Sequence, residues 1–113
     1  MSMKLSADAE VMEFVKTAHL AGSKKVLFSG AEVDSSLTQL AFGFLPGGET
    51  VEKHAHDTME EFFYFINGHG EYLLGQERII VRKGVTVRVP PGVLHELQAQ
   101  EDLHFIYFGI AVK

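Results

Sequence analysis

The feature that most constrains this chain is a set of four side chains able to bind a metal ion. His54 and His56 stand two residues apart in an alternating stretch, Val51 to His56. On a strand that spacing puts both imidazoles on one face. Glu61 follows five residues later, at the start of the next extended segment, where an antiparallel return brings its carboxylate toward the two rings. His95 comes much later, just after Pro90-Pro91-Gly92, at the start of another strand. Three imidazoles and a carboxylate make a borderline nitrogen/oxygen donor set. It suits one divalent transition metal (Fe, Mn, Ni, Zn, Co or Cu) and suits Ca²⁺ poorly.

A His-x-His pair is weak evidence alone, and the residues around it add the weight. Gly48 is followed by five residues and then His54. His56 is followed by four and then Glu61, and six more lead to Gly68. Gly84 is followed by five residues and then Pro90, with Gly92 one residue beyond Pro91 and His95 three residues after that. These glycines and prolines fall where strands must turn. Expected strands are Val26–Ser29, Leu37–Leu45, Val51–His56, Glu61–Ile66, Glu71–Leu74, Arg78–Arg82, Val85–Val89, Leu94–Gln98 and Leu103–Ile110. Asn67-Gly68 and Gly75-Gln76 are tight turns between them. Many short strands with regular turns predict an all-β sandwich or barrel.

Before them, Ser6 to Ala21 reads as a short amphipathic helix. Ser6 is its N-cap, Asp8 and Glu10 lie in its first turn, and Val11, Phe14, Val15 and Ala18 recur at helical spacing. Residues 1–24 are therefore expected to form a helical segment that packs on a barrel of residues 25–113 or serves as a dimer contact.

Composition narrows the partners. The net charge is −5, which with no Lys/Arg run longer than two argues against nucleic acid and against an anionic membrane surface. No cysteine is present, so thiolate ligands and disulfides are excluded. No signal-like apolar core opens the chain and no apolar run approaches the ~20 residues of a membrane span. A cytoplasmic protein is the expectation.

The two framed stretches, GETVEKHAHDTMEEFFYFING and GVTVRVPPGVLH, resemble the two motifs of the cupin superfamily, and the resemblance extends over about residues 37–110. It implies a single double-stranded β-helix, the jelly-roll barrel of the RmlC-like cupins, here with a short N-terminal helix. It implies that His54, His56, Glu61 and His95 are the ligands of one interior metal ion, and that the chain is a homodimer. One position departs from the pattern: Ala99 stands where the second motif commonly ends in Asn.

Strand parity from the ligands maps the inner wall. Phe63 and Phe65 share a face with Glu61, Glu52 and Thr50 with His54, and Leu97 and Ala99 with His95. The pocket reads as small, dry and aromatic, fit for a small-molecule ligand. His104 and Tyr107, on opposite faces of the last strand, are candidate catalytic groups. Tyr64 and Tyr72 are weaker candidates. Glu60 and Arg88 are expected outside, and His69 and His19 in structural or exposed positions. The resemblance implies a small metal-dependent isomerase, lyase, decarboxylase or dioxygenase acting on a carbonyl, sugar-acid or aromatic compound. The alternatives are a non-catalytic binding or sensing module and a scaffold with a structural metal.

Overall fold

The computed structural model describes residues 3–112. Its strands are β1 (Val15–Lys16), β2 (Ser23–Ser29), β3 (Leu37–Leu45), β4 (Thr50–His54), β5 (Met59–Asn67), β6 (His69–Leu74), β7 (Glu77–Arg82), β8 (Thr86–Val89), β9 (His95–Ala99) and β10 (Leu103–Ala111). β-Branched and aromatic residues dominate them, and one side of most is buried, as a half-solvated antiparallel sheet requires. Between β5 and β6, Gly68 turns the chain with φ +93°. A Cβ there would run into the Asp102 carbonyl, so only glycine fits.

The strands form two antiparallel sheets. One runs β1-β2-β3-β10-β5-β8 and the other β4-β9-β6-β7. They pack face to face through one core that includes Leu45, Phe63 and Phe65 from the first and Tyr72, Val81 and Leu97 from the second. The architecture expected from sequence was a barrel. The all-β architecture is present, but hydrogen bonding does not close the two sheets into one ring.

β10 is the organising strand, because it pairs with β3 on one side and β5 on the other. The register lines up Ala41, Tyr107, Phe63 and Val87 in one row across four strands, and Gln39, Gly109, Glu61 and Val89 in the next. Both rows face the second sheet. Ala99, where the motif's Asn was missing, is buried apolar filler. Its N–H donates to Glu49 O (3.0 Å) and its carbonyl accepts from Gly48 N (2.8 Å).

The N-terminal helix expected over Ser6–Ala21 does not form. Only a 3-10 turn, Ala9–Val11, precedes the edge strand β1, and Asp8 rather than Ser6 caps it by accepting from Glu10 N (3.0 Å). An isolated short helix is marginal in water. Here Val15 pairs with Lys24, and the Phe14 ring lies against Phe42 and Phe44, at 6.1 and 5.8 Å between centroids. Edge pairing and aromatic contact outweigh a helical stripe in which Val11 stays almost fully exposed.

Phe65 is fully buried at the centre of the core. Phe65→Ala is expected to cost about 3–5 kcal/mol in chemical denaturation. Tyr64→Ala, one residue away on the outer face and half-exposed, is expected to cost well under half of that. Equal losses would contradict this core assignment.

Candidate metal centre

Four elements bring the donor side chains together. His54 ends β4 and sits opposite His95, the first residue of β9. His56 lies in the bend after β4, and its carbonyl accepts from Gly92 N (2.8 Å), so the bend is pinned to the Pro90-Pro91-Gly92 turn. Glu61 points inward from β5 and is buried. The ligating atoms of His54, His56 and His95 lie within 4.8 Å of one another. Glu61 Oε1 is 3.4 Å from His56 Nε2 and 3.8 Å from His95 Nε2. To share one ion at about 2.0–2.1 Å the three nitrogens would have to draw closer together than this.

The tautomers are set by the backbone. His54 Nδ1 donates to Glu52 O (2.8 Å) and His95 Nδ1 donates to Val93 O (2.9 Å). Carbonyls only accept, so each Nδ1 carries the proton and each Nε2 keeps a free lone pair. That second contact orients a metal-binding imidazole.

Burial tunes the charges. It pushes the Glu61 carboxyl up to about 7 and the His95 imidazole down to about 4. His56 is lowered by burial and then by neighbouring His54. His56 and His95 thus favour the neutral form a metal needs, while Glu61 must give up a proton.

The cluster lies on the wall of a cavity of about 200 Å³, below the size of drug-binding pockets. Phe63, Leu97, Tyr72 and Tyr107 line it. Tyr107 is pushed up to about 12, first by burial and then by the charge of Glu61, so it stays a protonated donor. Tyr72 is raised well above the usual phenol range, again mainly by burial.

Several expected wall residues lie elsewhere. Glu52 is exposed on the outer face, beside Thr50, because the register shifts between Val51 and His54 and breaks the parity. Val51 takes the inner position instead. Phe65 lies in the core and does not line the cavity. His104 faces away from the cavity. Its Nδ1 contacts Asn67 Oδ1 (2.7 Å) and its ring stacks on Phe44 at 4.8 Å, which removes it as a candidate catalytic group. Tyr64 is outside, Arg88 pairs with Glu60 at 2.5 Å on the surface, and His69 Nδ1 contacts Gln100 Oε1 at 2.6 Å.

Among the cavity residues that sequence reasoning missed are His19, Lys24 and Gln39. The His19 ring lies 4.2 Å from the His54 ring, carried there by a turn in which Thr17 Oγ1 contacts the carbonyls of His19 and Ala21. Only the alternation of Lys24 with Val26, extended one step upstream, signalled any of them.

A family model described as a cupin domain matches residues 41–109. An uncharacterised protein of Methanocaldococcus jannaschii is 36% identical over 59 residues, which are 52% of this chain and 47% of that one. The chain thus matches about half the length of that relative. The structure resembles a predicted oxalate decarboxylase from Thermotoga maritima, with TM-score 0.84 and 19% identity over 96% of this chain and 100% of that one. An RmlC-like cupin from Shewanella frigidimarina gives TM-score 0.78 and 16% identity over 95% and 90% of the two chains. At these identities the structural matches speak for the fold alone.

Metal affinity is expected to strengthen as pH rises from about 5 through about 7, because Glu61 is protonated below that range and competes with the ion. Calorimetry in buffers of different ionisation enthalpy should detect proton release at pH 6 that Glu61→Gln abolishes. A flat affinity profile in the native chain would contradict the assignment.

Proposed function

The chain belongs to the cupin domain family, and from that premise we propose that it is a metal-dependent enzyme acting on a small organic substrate. The observation that carries this reading is the convergence of three imidazoles, two of them tied through Nδ1 to backbone carbonyls, on the wall of a small cavity. His54, His56 and His95, with Glu61 beside them, would hold one divalent transition metal. Such an ion supplies Lewis-acid or redox chemistry to a substrate oxygen.

The chain's own residues do the rest. Glu61, with its carboxyl near neutrality, is suited to hold or release a proton at Oε1 when it is not ligating. Tyr107 presents a hydroxyl that remains protonated across the physiological range and can donate to a substrate oxygen. Phe63, Leu97 and Tyr72 exclude water and strengthen each polar contact inside. Isomerase, lyase, decarboxylase and dioxygenase reactions all fit such a site. The mostly apolar remainder of the wall supports a second reading, a binding or sensing module that holds a small molecule without converting it.

Saturating metal at a hundredfold excess over Kd is expected to stabilise the native chain by about 2.7 kcal/mol. His54→Ala should lose that thermal shift, its metal by elemental analysis, and any turnover on a panel of keto acids, uronates and catechols. Full turnover by metal-free His54→Ala would overturn the metal dependence of the reaction. Ligand-induced thermal shifts with no product across the panel would favour the binding module.

A further inference from the structure

The inner row of the first sheet contains one residue that does not belong in an apolar core. β2 pairs with β3 so that Lys24 stands opposite Gly43 and Val26 opposite Ala41. Gly43 and Ala41 in turn stand opposite Phe105 and Tyr107, both of which line the cavity. Lys24 is therefore on the inward face of β2. Lys25, the next residue, points out, with its Nζ donating to Ala9 O (2.7 Å) and lying over the Phe14 ring.

An inward ammonium on a mostly apolar wall is costly unless something pairs with it. Lys24 Nζ donates to Gln39 Oε1 (3.1 Å), and the Gln39 amide contacts the Tyr107 hydroxyl. Among the described residues no carboxylate lies within ion-pair distance of Lys24. Two of its three protons remain available to a ligand. Opposite Lys24, Gly43 leaves room for the Phe105 ring, which a Cβ there would strike. Among the described residues, Lys24 and Glu61 are the only Lys, Arg, Asp or Glu side chains that line the cavity. With a divalent ion bound these two cancel, and the charge of the ion is left for the ligand to meet.

We propose that Lys24, held by Gln39, recognises a carboxylate in this pocket, and that the ligand is a small organic acid with an oxygen donor for the metal at one end and a carboxylate at the other. This rests on the metal-site reading above and adds the substrate class to it. Lys24 binds and orients the acid, while the imidazole cluster stands on the opposite sheet.

The test uses the full chain loaded with Ni(II) and titrated calorimetrically with malonate, succinate and glutarate. Each is set against the monocarboxylate of equal chain length: propionate, butyrate and valerate. At least one diacid is expected to bind tenfold or more tightly than its monoacid. In Lys24→Met and Lys24→Gln that preference should vanish while Ni(II) uptake stays unchanged. Thermal melting of both variants should match or exceed the native chain, because an inward charge has been removed. Normal Ni(II) uptake without a diacid preference, or a preference that survives in either folded variant, overturns the role of Lys24. Failure of the native chain to take up Ni(II) overturns the metal reading, and this proposal with it.

Discussion

The structure depends on the pleat register that β10 imposes on its two neighbours. Side chains alternate faces with a period of two, so a slip of one residue on either side would send Glu61 and Tyr107 to solvent. The pairing of Gly109 with Gln39 and Glu61, and of Tyr107 with Ala41 and Phe63, fixes what the cavity contains. The second sheet contributes His54 and His95 as directly opposed residues. The metal cluster is thus a consequence of two registers and of the bend that carries His56 against Gly92.

Burial then sets the chemistry. The same apolar surroundings that hold His95 neutral resist the charge on Glu61, so both side chains favour their uncharged forms. A bound cation would favour the ionised form of Glu61 and the neutral form of His95. One environment therefore serves two donor types, provided that an ion supplies the compensating charge.

Much of the strand layout was legible because Gly48, Gly68, Gly84 and Gly92 all have positive φ and stop strands where their spacing says they must. The grouping of His54, His56 and His95 was legible for the same reason, since their positions are counted from those turns. Three features were hidden by geometry that a pattern cannot carry. The shift between Val51 and His54 reverses the parity that placed Glu52 inside. Val11, Phe14, Val15 and Ala18 fit a helical stripe, yet Phe14 and Val15 gain more by joining a sheet edge. His19 reaches the cavity on the turn between β1 and β2, which nothing local in the sequence announces, whereas Lys24 reaches it through the register of β2 on β3.

The central claim is that His54, His56 and the sequence-remote His95 share one cation. X-ray absorption spectroscopy of the zinc-loaded chain reads this most directly. The account predicts three imidazole nitrogens at about 2.0–2.1 Å, with the remaining shell made of oxygen. A shell of oxygen alone, or one with a single imidazole, would contradict it.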